Sequence, residues 1–453
     1  MTPIRTWPSD MVTPLLVRLL TLASDRGLRT IRTSMHSGMN QPERGIIIGG
    51  GIIGMLIARE LLRRELDVVV LDAGDGENTA STGNAGIIAP GHPPIAHPGL
   101  PARTLQLLLD HDSPLYIPPR PNPSLLRWLL GFRRSCNPRN YETAVEILNG
   151  LSRLSMEHWQ DLAAQDVLSG HLESTGWVEA CCEEATCQQA MNDLDLLHRD
   201  GFDAEFIDGD ELRRRDPAFS RHVLGALAHP SDMLADPAGL LAALREDLVV
   251  RGALIRHRCR IDALLHDRRS GVIGVESSDG EIIEGNRAVI AAGIWSDRFA
   301  RSHGLHIPMQ AAKGYHVMVS MDAPPRTACV CRESMVGVNP CAGGLRLAGT
   351  LELSGINSRF IRRRLNMLRI GASRYIKGIR HAEVTSEWNG LRPCTADGLP
   401  VIGAVPGMEG AFIATGHGMM GVTLGPVTAS IIGSLVEGQA PPIDIAPLDP
   451  ARF

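Results

Sequence analysis

The sequence predicts an α/β protein: a discontinuous nucleotide-binding domain into which an α+β domain, built on a mostly antiparallel sheet, is inserted. Three observations carry this. A short apolar strand, Gly45–Ile48, runs into a glycine turn and an apolar helix near residues 52–65. A second buried strand, Asp67–Leu71, follows at once, all β-branched or leucine after its first residue. Short apolar strands return near the carboxy end, at Val401–Ile402 and Ala411–Ala414, with strand-rich sequence between.

The intervening elements follow from local pattern. Residues 73–100 are loop-rich, and 103–165 read as helical, broken by prolines at 114–123. Gly176–Cys181 and Ala204–Ile207 read as strands, Pro237–Arg251 as a helix and Leu254–Leu264 as one strand. Gly271–Asp279 and Glu281–Glu284 form a hairpin turning at Asp279-Gly280. Arg287–Ala291, Gly314–Ser320, Cys329–Val338 and Leu345–Leu351 are further strands, Phe360–Ile376 a helix and Val422–Val436 the last helix. The expected partition is a nucleotide domain of residues 44–102, 222–300 and 385–453. Residues 103–221 and 301–384 would form a substrate-binding cap.

Composition removes several classes. The 453 residues are 44% hydrophobic and 21% charged, so the chain is neither disordered nor fibrous. At about 150 residues per domain, two or three domains are expected. Net charge is −5, which argues against nucleic acid as a partner. The nine cysteines include no Cys-x-x-Cys pair or zinc spacing, so they read as reduced thiols with no metal site.

Residues 1–43 read as an unstructured extension. Arg5, Arg18, Arg26, Arg29 and Arg32 stand against Asp10 and Asp25 within the first 40 residues. Such a composition resembles a transit peptide or a membrane-surface segment. The preferred reading is a start assigned too early, with Met35 or Met39 the first residue. Gly410–Val436 lacks any charged side chain. Its six glycines, Pro426 and His417 mark it as a buried loop and core helix rather than a membrane span.

Gly49-Gly50-Gly51-Ile52-Ile53-Gly54 is a G-x-G-x-x-G turn between strand and helix, and Asp72 ends the next strand. That context makes the motif a Rossmann-like dinucleotide fingerprint. Gly49 allows the tight turn, Gly51 the approach of a pyrophosphate, and Gly54 close packing of helix on strand. The helix N-terminus at Ile52 and Ile53 favours phosphate charge. Asp72 suits ribose hydroxyls and disfavours a 2′-phosphate. The motif does not distinguish NAD from FAD.

Three further stretches do. They are Ser81-Thr82-Gly83-Asn84-Ala85-Gly86-Ile87-Ile88, Ala291-Ala292-Gly293-Ile294-Trp295-Ser296, and Gly390-Leu391-Arg392-Pro393-Cys394 through Gly416-His417-Gly418-Met419-Met420-Gly421. With the fingerprint, the set resembles the D-amino-acid oxidase superfamily over residues 44–453. Within it, the set is most similar to the bacterial D-amino-acid dehydrogenase branch of small-subunit type.

The resemblance implies non-covalent FAD. Gly49, Gly51, Gly54 and Asp72 would hold its ADP half. Ser81, Asn84, Ala85 and Gly86 would meet the pyrophosphate and one side of the flavin. Ile261 would face the adenine, and Ala292 and Gly293 would pass beside the dinucleotide. Gly416, Gly418, Met419, Met420 and Gly421 would bring backbone N–H groups to the pyrimidine edge, where negative charge develops.

Arg392 would pair with a substrate carboxylate, as a guanidinium does in bidentate fashion. Tyr315 is a second candidate for the carboxylate, with a plain strand residue weighed equally. His417 would position flavin rather than act as a base, and His92 would lie near the pocket. Met335-Val336-Gly337 stands where some relatives carry a substrate-binding tyrosine, so that contact is absent or replaced.

The implied reaction is oxidative deamination of D-amino acids, cyclic ones such as D-proline or hydroxy-D-proline among them. Hydride leaves the alpha carbon for the flavin, and electrons pass to a quinone or protein acceptor. The alternatives are an oxygen-using amine or glycine-type oxidase, or the FAD-bearing subunit of a hetero-oligomeric dehydrogenase. The expected location is cytoplasmic, with peripheral contact at the inner membrane face if the acceptor is a quinone.

Overall fold

Runs of β-branched residues give strands that are apolar on both faces, and such strands need cover on both sides. The computed structural model describes residues 43–100, 113–118, 120–267, 269 and 271–453, and it meets that need. The readings of residues 1–42 and of helix at 103–112 lie outside the described residues. A six-stranded sheet orders Leu254–Arg256, Asp67–Leu71, Arg44–Ile48, Arg287–Ile290, Ala411–Thr415 and Val401–Ala404. The first five pair in parallel; the last is antiparallel.

Strand parity splits the side chains. Ile47, Val68, Val70 and Val289 join one core with the helices Ile52–Arg63, Pro237–Val250 and Gly425–Val436. Ile46, Ile48, Val69, Leu71, Ala288 and Ile290 join another, with a meander of Ile261–Asp267, Gly271–Ser277 and Ile282–Glu284. Gly425–Val436 buries Val427, Ile431 and Ile432 in the first core. Among the described residues no helix is long and apolar enough to cross a membrane.

The second sheet has nine strands. Its main path runs Glu383–Thr395, Met309–Ser320, Gly344–Glu352, Val336–Cys341, Cys329–Cys331, Trp177–Cys181, Gly225–His229 and Glu205–Asp208, and Leu115–Tyr116 pairs off it. Its pairs are antiparallel except two. The mixed α/β architecture with a largely antiparallel second sheet is the one expected. By pairing, Gly225–His229 and Glu383–Thr395 go with this second sheet, across the expected domain limits.

Three local readings differ. Leu254–Leu264 is two strands in separate sheets, because Arg258 adopts φ +55° and turns the chain. Arg258 and Cys259 donate their N–H groups back to Gly74 O and Asp72 O, each at 2.8 Å. Cys329–Val338 is a hairpin, with Met335 at φ +53° in its turn. The longest strand, Glu383–Thr395, carries no β-rich signal: its outer half is polar, and Gly390 and Pro393 interrupt the rest.

A Cβ on Gly54 would stand 2.0 Å from Gly49 O, so the helix can approach the first strand only with glycine there. Gly54→Ala is expected to lower the unfolding free energy by roughly 1–3 kcal/mol, the usual cost of overpacking, in urea denaturation. Unchanged stability would show that the helix can retreat.

Candidate active site

The glycine turn opens at the carboxyl end of Arg44–Ile48, an interior strand of the first sheet. Gly49 adopts φ +121°, and its Cβ would fall 2.4 Å from Ala291 O. Gly51 caps the Ile52–Arg63 helix, and Ile52 N donates to Ser81 Oγ at 2.9 Å. Asp72 is buried, and its two carboxylate oxygens accept from Gly50 N and from Gly74 N at 2.6 Å. Those bonds fix the carboxylate at the end of its strand while leaving lone pairs open.

These elements border a cavity of about 800 Å³. Its wall includes Gly49, Gly51, Ile52, Ile53, Asp72, Ser81, Asn84, Ile261, Ala292, Gly293, Arg392, His417, Gly418, Met419 and Gly421. Gly54 lies behind the wall as a packing residue. Ala85, Gly86, Gly416 and Met420 are not part of the wall either. Gly416 at φ +76° instead packs toward Thr395, where a Cβ would stand 2.6 Å from Cγ2. His92 is also off the wall; its Nδ1 donates to Pro93 O at 2.8 Å.

Arg392 lies on the Glu383–Thr395 strand, half-buried, directly over Gly314. A Cβ at Gly314 would meet the guanidinium at 2.3 Å. One Nη donates to Thr350 O at 2.9 Å, and among the described residues no carboxylate pairs with it. Burial pushes its pKa down, yet an arginine stays charged. A charged, partly desolvated fork with spare donors is an anion site.

Tyr315 is placed elsewhere. Alternation along Met309–Ser320 puts Gly314 and His316 toward the cavity, and Lys313 and Tyr315 away from it. The phenol donates to Glu352 Oε2 at 2.8 Å, fully buried and off the cavity wall. Burial and that bond push its pKa up. The expectation that Tyr315 meets a substrate carboxylate therefore fails on direction: its hydroxyl is committed on the opposite face.

His417 is buried and lines the cavity. Thr428 donates its hydroxyl proton to Leu424 O at 2.7 Å, so its oxygen accepts from His417 Nε2–H at 3.0 Å. Nδ1 is then the unprotonated nitrogen. Burial pushes the imidazole pKa down to about 3. A group that resists protonation so strongly is a poor general base near neutral pH.

Sequence reasoning missed Trp388, which lines the cavity with a buried, unpartnered indole Nε1. Trp388, Gly390 and Arg392 share one strand face. That period of two was the available signal, hidden because the strand itself was not recognised.

The cavity, with its glycine turn, terminal acid and an arginine on its wall, has the features of a dinucleotide-binding site. The sequence matches the FAD dependent oxidoreductase (DAO) family over residues 45–435, and the chain belongs to that family. It is 28% and 29% identical over 423 residues to D-amino acid dehydrogenases of two Cereibacter sphaeroides strains, covering 90% of this chain and 95% of each relative. Glycine oxidase from Bacillus cereus superposes with TM-score 0.70 at 22% identity, over 88% of this chain and 96% of that one. L-proline dehydrogenase from P. horikoshii superposes with TM-score 0.68 at 17% identity, over 92% and 98%.

The protein is an FAD-dependent oxidoreductase, and its residues fit the cofactor. Side chains at Gly49 and Gly50 would clash with backbone or with Asp72, so the turn stays bare, as a pyrophosphate requires. Asp72 suits the ribose of FAD.

His417 also sets a pH dependence. Unfolded, it binds a proton below about pH 6.5; folded, it does so only near pH 3. Its contribution is therefore full above pH 6.5 and declines as pH falls toward 3. Between pH 7.5 and 5 it accounts for about 2 kcal/mol of lost stability. Urea denaturation at the two pH values checks this, and His417→Gln should shrink the difference.

Proposed function

We propose that this chain is an FAD-dependent dehydrogenase of free D-amino acids, with Arg392 as the anchor of the substrate carboxylate. The observation that supports it is the Arg392 guanidinium, on the cavity wall with no carboxylate partner among the described residues. The names of the curated relatives agree with the substrate class. They also favour an acceptor other than oxygen, a quinone or a protein.

When bound, FAD supplies the acceptor for the hydride that leaves the alpha carbon. Arg392 holds the carboxylate by its free N–H groups while Thr350 O steadies the other end of the fork. Orientation of this kind turns an encounter into a fixed approach and contributes much of the rate. His417 stays neutral and offers Nδ1 as an acceptor, so it orients a donor rather than removing a proton. The substrate amine then sheds its proton to solvent, and kcat/KM rises with pH along the titration of the amine. Attachment of FAD is non-covalent in this reading. Cys259, on the cavity wall, has its thiol pKa raised by burial, which disfavours the reactive thiolate.

Anaerobic addition of a D-amino acid panel to the yellow holoenzyme tests the reading. Bleaching by D- but not L-substrates is expected; bleaching by L-substrates alone would overturn it. Arg392→Met should raise KM on the order of a hundredfold while flavin is retained, since two charge-assisted hydrogen bonds are lost. Tyr315→Phe should leave KM within about twofold, and cost roughly 0.5–1.5 kcal/mol of stability through the hydrogen bond lost to buried Glu352.

A further inference from the structure

The Ser81–Gly86 loop forms part of the cavity wall, yet side chains of the second sheet hold its backbone. Arg346 Nη1 donates to Asn84 O at 2.7 Å and to Thr82 O at 3.3 Å. Asn339 Nδ2 donates to Ala85 O at 2.8 Å. His316 Nδ1 donates to Gly83 O at 2.9 Å; a carbonyl can only accept, so this nitrogen carries the proton. Four consecutive carbonyls are thus taken by three side chains. Those side chains are more than nine-tenths buried, at 6%, 1% and 6% exposure for Arg346, Asn339 and His316.

Register explains their convergence. Asn339 pairs directly with Arg346, and His316 pairs with Ala348, two residues along the same strand. All three therefore project from one face of three neighbouring strands. No carboxylate pairs with the Arg346 guanidinium among the described residues, and its Nε has no partner. Burying a cation without a carboxylate partner is costly, so its place beside the Thr82 and Asn84 carbonyls asks for a role beyond packing.

Peptide geometry supplies one. Among the described residues no peptide bond is cis, and in a trans peptide the N–H points opposite to the preceding C=O. With the carbonyls of residues 82–85 turned to the sheet, the N–H groups of residues 83–86 turn from it. Gly86 N is taken by Asn84 Oδ1 at 2.6 Å. The N–H groups of Gly83, Asn84 and Ala85 make no hydrogen bond among the described residues. Successive backbone N–H groups of this kind make an anion-binding concavity.

We infer that Arg346, Asn339 and His316 are positioning residues for FAD: they hold the Thr82–Ala85 carbonyls and so present the N–H groups of Gly83 and Asn84, both on the cavity wall, to its anionic oxygens. The cofactor loop is thereby built from the sheet that carries Arg392, not from the glycine-turn sheet alone.

The test measures FAD release from holoenzyme on dilution, as recovered free-flavin fluorescence, for wild type, Arg346→Met, Arg346→Lys and Asn339→Leu. Circular dichroism confirms that each is folded. Arg346→Met and Asn339→Leu are expected to hold FAD on the order of tenfold more weakly, the loss of one or two such bonds, with partial recovery in Arg346→Lys. Wild-type retention in folded variants overturns the inference. If neither variant folds, amide hydrogen exchange on the wild-type chain decides. Stripping FAD should speed exchange at Gly83 and Asn84, and unchanged rates there overturn it.

Discussion

The Arg392 guanidinium is a positive charge, half-buried, that no carboxylate among the described residues pairs with, and the strands around it are arranged to tolerate it. Desolvating an unpaired ion is unfavourable. Gly314 removes the side chain that would occupy its place, since a Cβ there would stand within 2.3–2.5 Å of the guanidinium atoms. Thr350 O then holds one end. Thr350 adopts φ +64°, where a β-branched residue is an outlier, and the Gly344–Glu352 strand slips register against Lys313–Tyr315 at this point. A conformation of that kind costs on the order of 1–3 kcal/mol. The irregularity turns a carbonyl toward the arginine, which a regular ladder would have used for pairing.

The Met309–Ser320 strand separates this open charge from a cluster behind it in which a carboxylate lies between two cations. Lys313 and Tyr315 point away from the cavity to Glu352. Lys313 Nζ lies 3.5 Å from its carboxylate, Arg364 Nε 3.6 Å, and the Tyr315 hydroxyl 2.8 Å. All four side chains are at most 1% exposed. There a carboxylate offsets the buried cations, so the lysine is structural. Lys313 also donates to Asn357 Oδ1 and Arg359 O, fixing the segment whose Ile356, Asn357 and Ser358 line the cavity. One residue of offset along a strand thus decides whether a polar group meets substrate or supports a wall.

That offset marks where sequence reasoning stops. The fingerprint was legible because its chemistry is local: a strand, a bare turn, a helix and an acid occur in order, and Gly49, Gly51 and Asp72 all line the cavity. Arg392 was legible from the motif around it. Between the two readings weighed for Tyr315 the sequence could not choose, because which face meets the cavity is set by pairing with the distant strands Gly344–Glu352 and Glu383–Thr395. Trp388 was missed because Glu383–Thr395 pairs along its length with a distant segment, and pairing rather than propensity makes it a strand. Arg346 and Asn339 act on a loop some 250 residues away in sequence, a relation no local pattern records.

Trp388 shows how the two halves of the site become one wall. A Cβ at Gly83 or at Gly390 would fall 2.1 Å from its ring, so the indole lies against both backbones. Its other contact is His316, stacked at 5.1 Å between ring centres, whose Nδ1 holds Gly83 O. The cofactor loop, the indole and the arginine strand therefore form a continuous packed series with no flexible side chain between them. Close packing of this kind resists deformation, and hydride transfer is sensitive to the separation of donor and acceptor. Were the carboxylate anchor and the cofactor loop carried on separate elements, each relative motion would change that separation. In the proposed reading, the sheet that bears Arg392 also holds the cofactor loop through His316, Asn339 and Arg346, so the anchor and the loop are kept together.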